Sequence, residues 1–249
     1  MLQELAPLSL LLIAVVVVLT GISKSAFAGA LGIFSVPLLL LVLPPRQAVG
    51  LMLPLLLLAD LFSLKSYWQQ WNRQHLMQLL PGVVLGLLLG TLLLNKLSAQ
   101  SLQGIIGLLS SLFALRYLLL RKLKSQWLAS RPAAWILSTV SGLSSTLLHA
   151  GGPPLMMHLL SVSLAPATLV ATSAVVYAGM NLAKLGPFMY FNVLDWQLAG
   201  LTMLFAPFAW LGTRLGVWIR SRLNPAAFMG ALHILLLLMG VKLLYTAIG

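Results

Sequence analysis

The stretch whose reading decides the fold is PAAWILSTVSGLSSTLLHAGGPPLMMHLLSVSLAPATLVATSAVVYAGMNLA, from Pro132 to Ala183. It runs 52 residues without one Lys, Arg, Asp or Glu. A membrane-spanning helix needs only about 20 consecutive apolar residues, so this stretch holds at least two passes. Gly142, Gly151, Gly152, Pro153, Pro154 and Pro166 punctuate it. Further charge-free runs cover 5–23, 25–45, 74–95, 97–115, 196–213 and 223–241. The chain reads as an all-α integral membrane protein that crosses the bilayer many times. Its function must be sought in the few polar groups kept inside that apolar background.

Composition narrows the field. Only 7% of the 249 residues are charged and 60% are hydrophobic, where a soluble domain carries about 25% charged residues. The mean hydropathy is +1.02. Ten or so apolar segments leave little chain for a soluble domain. The basic pI of about 10.8 does not point to nucleic acid, because the basic residues sit mostly in short loops. There is no cysteine, which excludes disulfides, thiolate metal sites and thiol redox chemistry. The acidic residues are Glu4, Asp60 and Asp195, too few for a cage of carboxylates around a hard metal. No cofactor and no metal site is expected. The first segment is not read as a cleaved signal peptide, since Glu4 and not a basic stretch precedes it.

The chain repeats itself. Thr20-Gly21-Ile22-Ser23 matches Ser141-Gly142-Leu143-Ser144, an offset of 142 − 21 = 121. At that offset Pro45 meets Pro166 and Asp60 meets Asn181. Later the offset becomes 126, as if five residues were inserted, and Gly86 meets Gly212 while Gly90 meets Gly216. Ordered matches with a single insertion favour duplication, a mark of many transporter folds. The expected organisation is one transmembrane domain of two inverted repeats, 1–125 and 132–249, each of about five apolar segments. The second segment of each half is short and bears proline after a glycine-rich turn. Such broken or re-entrant pieces are tolerated only where they are buried or line a cavity, so they are placed at the repeat interface.

Basic loops set the orientation. Arg121, Lys122, Lys124 and Arg131 cluster between the halves, Arg73 lies two crossings earlier, and Arg220 and Arg222 lie four crossings later. All three loops then fall on the cytoplasmic side, with both termini outside. This holds if the first two segments of each half cross or dip in and return, and fails if they form one broken span.

Two constellations carry chemistry. The first is the pair of glycine-flanked turns, Gly21 to Gly29 and Gly142 to Pro154. Hydroxyls, glycines and a cation gather where a helix restarts, and free N–H groups with a helix dipole suit an anion there. The candidate substrate-binding residues are Ser23, Lys24, Ser25, Gly29, Ser145, Thr146, His149, Gly151 and Gly152. The bland alternative is that the small residues only permit close helix packing. The second constellation is Asp60 and Asn181 at matching positions, with Lys184 three residues after Asn181 on the same helix face. An intramembrane carboxylate is a functional suspect by default; the alternative is an Asp near a helix end, snorkelling with Lys65. Asn181 and Lys184 join the substrate-binding candidates. Asp60 and His149 are the candidates for a coupling proton. His158 is a weaker candidate, while His75 and His233 read as packing or interface residues. Tyr67, Trp68, Trp71, Tyr190, Phe191 and Trp196 read as an aromatic belt, and Gly86-xxx-Gly90 and Gly212-xxx-Gly216 as packing motifs.

The run Gly21 to Pro45 followed by Ala48, its second copy from Gly142 to Pro166 with Ala167 and Ala171-Thr172-Ser173, and Gly212-Thr213 with Gly216 together resemble the repeat signature of the sulfite exporter TauE/SafE family, also called the toluene-sulfonate uptake permease family. The resemblance covers nearly the whole chain. It departs from the signature where Phe27-Ala28-Gly29-Ala30-Leu31-Gly32 replaces a glycine triplet and in the presence of Lys24. It implies a permease or exporter for sulfite, an organosulfonate or a related small organic anion, working by alternating access in the bacterial inner (plasma) membrane. The implied partners are the anion and the lipid bilayer, with a coupling proton or other ion and a homo-oligomer left open, and no nucleic acid. The other reading is an integral membrane enzyme or assembly factor using His149 and Asp60 as catalytic groups. Polar groups that match between repeats argue against it, since catalytic constellations are rarely symmetric.

Overall fold

The computed structural model describes residues 7–26, 29–120, 126–162, 164–194, 196–219 and 225–248. The basic residues Arg121, Lys122, Lys124, Arg220 and Arg222, the acidic residues Glu4 and Asp195, and Phe27 and Ala28 lie outside them. The regular elements among the described residues are all helices, with no strand. In the first half, α1 (Pro7–Ala26) is followed by a 3₁₀ turn (Ala30–Phe34) that runs into the short α2 (Ser35–Leu39). Then come α3 (Pro45–Ser66), α4 (Arg73–Lys96) and α5 (Ala99–Leu120). In the second half, α6 (Arg131–Leu148) is followed by the short α7 (Gly152–Leu159), α8 (Pro166–Tyr190), α9 (Trp196–Ile219) and α10 (Pro225–Ile248).

Local chemistry accounts for the helix starts. Pro45 and Pro166 sit in the first turn of α3 and α8, where no N–H is needed and φ is already helical. Asn72 caps α4 by accepting from the His75 amide at 3.1 Å, and Ser130 caps α6 by accepting from the Ala133 amide at 3.3 Å. Among the described residues, five helices are long and apolar enough to cross a membrane, spanning Pro7–Ser25, Pro45–Lys65, Arg73–Leu94, Gln103–Leu120 and Ala167–Tyr190. Burial sorts them: 61% of the spans in α3 and α8 is buried, against 28% in α4 and α5. So α3 and α8 form the centre and α4 and α5 the outside. The exposed Leu85, Leu88, Leu89 and Leu92 of α4 are the lipid-facing surface of such a helix.

The short helices fold back along the helices before them. Thr20 and Ser35 share a hydroxyl hydrogen bond of 2.8 Å, which ties the end of the 3₁₀ turn to α1. In the second half, Ser141 Oγ donates to the Gly151 carbonyl at 2.6 Å and Ser144 Oγ to that of Ala150 at 3.0 Å. At the far end of α7, the His158 Nδ1–H donates to the Leu128 carbonyl at 2.8 Å, just before α6 begins. So α7 ends near where α6 started. These are helical hairpins, not single broken spans.

Glycines set the closest contacts. A Cβ on Gly21 would lie 2.6 Å from the Ala209 carbonyl oxygen, and one on Gly142 2.7 Å from that of Val83. Along α9, Gly212 faces Val18 and Gly216 faces Ile22 and Ser25, so α1 and α9 run side by side in the same direction. Along α4, Gly82 faces Trp135 and Ser138, Gly86 faces Thr139, and Gly90 faces Thr146, so α4 and α6 also run in parallel. By contrast Gly104 faces Ala247 and Gly107 faces Gly240 and Leu243, which makes α5 and α10 antiparallel. Exchanging α1–α5 for α6–α10 turns the α1–α9 pair into the α6–α4 pair and maps α5–α10 onto itself.

Candidate functional site

The two hairpin tips meet beside α3 and α8. Gly29 restarts the chain after α1 with φ of 79°, a left-handed conformation that a Cβ would strain. Its amide donates to the Ser23 carbonyl at 2.9 Å. At the second tip His149 itself takes the left-handed conformation, with φ of 54°. That is an uncommon state for a residue with a Cβ, and here it closes α6 as its amide donates to Ser145 O at 3.0 Å. A Cβ on Gly32 would approach His149 O at 3.2 Å, so the tips are in contact.

Between them lies a cavity lined by Lys24, Gly29, Gly32, Leu56, Ser145, His149, Gly151, Gly152, Tyr177 and Asn181. Its volume is about 20 Å³, room for about one water molecule.

Two charged clusters stand around this cavity. Lys24, in the last turn of α1, forms an ion pair with Asp60 of α3. The second oxygen of Asp60 accepts from Asn181 Nδ2 at 2.6 Å. Asp60 is only 1% exposed, and Lys65 is exposed, so snorkelling with Lys65 is ruled out: α3 continues past Asp60 to Ser66 and buries it. The other cluster centres on Lys184 of α8, 1% exposed. Its Nζ donates to Ser145 O and Ser145 Oγ, each at 3.1 Å, and meets His149 Nδ1 at 3.0 Å. Those are three acceptors for the three protons of an ammonium. His149 Nε2 lies 2.9 Å from the Val49 carbonyl, which can only accept, so the imidazole carries its proton on Nε2 and turns the Nδ1 lone pair to Lys184. No carboxylate contacts Lys184 among the described residues.

The structure therefore brings together Lys24, Gly29, Ser145, His149, Gly151, Gly152, Asn181, Lys184 and Asp60. It places three other candidates elsewhere. Ser25 Oγ donates to the Gly21 carbonyl at 2.9 Å and lies against Gly216; Thr146 Oγ1 donates to the Gly142 carbonyl at 3.0 Å and lies against Gly90. Both face helix–helix contacts, because α1 and α6 extend through residues read as turn and their last-turn side chains follow the helix. Ser23 is fully buried and does not line the cavity. His158 faces Leu128, away from the cavity, with the His75 ring 6.1 Å from its own.

Tyr177 and Leu56 line the cavity and were not singled out from sequence. A signal existed. Tyr177 lies four residues before Asn181, and Leu56 four before Asp60, so each shares the helix face of its polar neighbour.

The fold is an all-α membrane domain with a buried, charged centre between two helical hairpins. The family model of the sulfite exporter TauE/SafE matches residues 13–243, and the chain belongs to that family, one of membrane transporters. No curated protein and no solved structure matches the chain.

Proposed function

We propose that the protein is a secondary transporter for a small anion, either sulfite, an organosulfonate or a related organic anion, acting in the bacterial inner membrane. The observation that supports this reading is the charge balance of the centre. Lys24 and Asp60 cancel, and Lys184 is buried with only neutral hydrogen-bond partners; protonated, it is a cation without a carboxylate in contact. A unit charge about 4 Å from an anion contributes roughly 4 kcal/mol at an effective dielectric of 20 and about 1 kcal/mol in bulk water. A buried cation without a counter-charge thus favours an anion strongly.

Residues 1–125 and 132–249 act as two inverted repeats about an axis near the Asp60–Asn181 contact. The antiparallel α5 and α10, and the exchange of α1–α9 for α6–α4, support this. The cavity is smaller than a sulfite ion or a sulfonate head group, so the hairpin tips part to admit substrate, and alternating access opens them to one side at a time. The tips' helices are each locked to a helix of the opposite half, so the moving bodies are the α1–α9 and α4–α6 pairs rather than the two chain halves.

Asp60 is the coupling group. It faces Lys24 of α1, Asn181, Tyr177 and Lys184 of α8, and His149, just after α6, lies beyond Lys184. Protonation of Asp60 releases Lys24 from its counter-charge and leaves a second cation for the anion, so a proton and an anion load together. His149 is the alternative carrier, through the proton it shares with Lys184.

The orientation follows from the basic loops, with both termini outside and the loop 121–131 cytoplasmic. A single cysteine at Ser125 should resist a membrane-impermeant thiol reagent in intact cells; labelling there reverses the orientation. For transport itself, the purified protein in liposomes should take up labelled sulfite, sulfoacetate, taurine or a simple carboxylate down its gradient. Liposomes that move none of these anions faster than protein-free controls would sink the reading.

A further inference from the structure

Tyr177 sits on α8 beside Lys24, whose Nζ is 5.0 Å from the centre of its ring. The ring packs on the first hairpin tip: a Cβ on Gly29 would come within 2.6 Å of Tyr177 Cε2. The residue is 7% exposed, and its hydroxyl is buried without a hydrogen-bond partner among the described residues. A buried Tyr O–H normally finds a partner, because leaving a donor unmade costs its full desolvation. Packing does not account for this hydroxyl, since a Phe ring would fill the same space on Gly29. At the equivalent position of the first half, 177 − 121 = 56, stands Leu56, which lines the same cavity. One helix thus presents an apolar side chain to the cavity, and its counterpart presents a donor with nothing to donate to.

We propose that Tyr177 is a substrate-binding residue whose O–H donates to an oxygen of the bound anion, next to Lys24. This rests on the anion-permease reading above and adds a requirement to it. The ligand must present an acceptor oxygen toward α8, while Leu56 of α3 offers none of its own. An oxyanion such as a sulfonate, sulfite or carboxylate meets that requirement. Tyr177 then makes the two ends of the site unequal, although the helices that supply them are equivalent in the repeat.

The test uses the purified full-length protein, with binding of sodium sulfite, methanesulfonate and acetate measured by calorimetry and unfolding temperature measured without ligand. Tyr177→Phe should weaken binding of the anion that wild type binds best by roughly 10- to 100-fold, the range for a hydrogen bond to a charged group. Its unfolding temperature should stay unchanged or rise, because the lost hydroxyl has no partner in the protein. Tyr177→Leu, which copies Leu56, gives the same loss of affinity and serves if the Phe variant does not fold. Wild-type affinity in a folded Tyr177→Phe protein overturns the assignment of Tyr177 and leaves the permease reading standing. A lowered unfolding temperature with unchanged affinity also overturns it, by making the hydroxyl structural. If wild type binds none of the three anions, the anion reading and this inference fall together.

Discussion

The two hairpin tips occupy equivalent places and carry different chemistry. Beside the first, a lysine meets an aspartate and their charges cancel. Beside the second, a lysine meets a serine and a neutral histidine, and no carboxylate among the described residues contacts it. Both lysines are buried, so burial alone does not tell a structural cation from a ligand-binding one. The partner does. A paired cation is mainly needed to keep its carboxylate company, whereas an unpaired one is costly to the fold and useful only to something that binds it.

The largest expected effect separates these roles through stability. Lys24→Ala leaves Asp60 as a buried carboxylate without its cation, a change that costs about 3–5 kcal/mol. Adding Asp60→Asn to it should restore most of that loss, since the remaining amide can still meet Asn181. Thermal unfolding of both variants checks this; equal stability of the single and the double variant would show that Lys24 and Asp60 are not coupled. Lys184→Met is the mirror experiment. It should cut anion uptake by roughly 100-fold, from the loss of one close charge, with stability unchanged or raised. If instead it unfolds the protein while Lys24→Ala does not, the contrast between the tips is reversed.

A smaller effect probes how the second tip is held. Gly86→Ala sets a methyl against the backbone of Thr139 and Leu143 and should cost about 1–3 kcal/mol. Gly179→Ala meets nothing within 4 Å and should gain about 0.5–1 kcal/mol from helix propensity. Unfolding temperatures of the two variants should move in opposite directions. The smallest effect is on coupling. Asp60→Asn should keep anion exchange and lose several-fold, pH-driven accumulation; an unchanged pH dependence would move the proton to His149, where His149→Gln decides.

Much of the helical framework was legible because apolar length and proline position determine it. Pro45 and Pro166, read as matching positions of the two repeats, start α3 and α8, and the chain breaks near Gly29 and Gly151. The hairpins were legible only as one of two options, since length does not tell a returning segment from an interrupted one; Thr20–Ser35 and His158–Leu128 decide it. The pairing of Lys24 with Asp60 was hidden, because 36 residues separate them and no spacing rule links residues on different helices. Ser25 and Thr146 were drawn into the site because a glycine four positions earlier was read as the start of the turn, when Gly21 and Gly142 lie inside helices as packing surfaces. Tyr177 was hidden for a different reason: amid Val175, Val176 and Ala178 an aromatic side chain reads as packing, and only the orphaned hydroxyl says otherwise.

The glycine contact between α1 and α9 also sets a schedule for synthesis. Lys24 can find Asp60 once a further 36 residues have been made. Gly21, however, waits for Gly212, 212 − 21 = 191 residues later. During that interval the first hairpin sits in the bilayer with its charge neutralised and its packing surface bare. The early ion pair is what makes the wait tolerable, because a lone lysine in hydrocarbon would favour withdrawal of the helix. Contacts so distant in sequence are slow to form, and they mean that the first half of the chain cannot be finished before the second half has arrived.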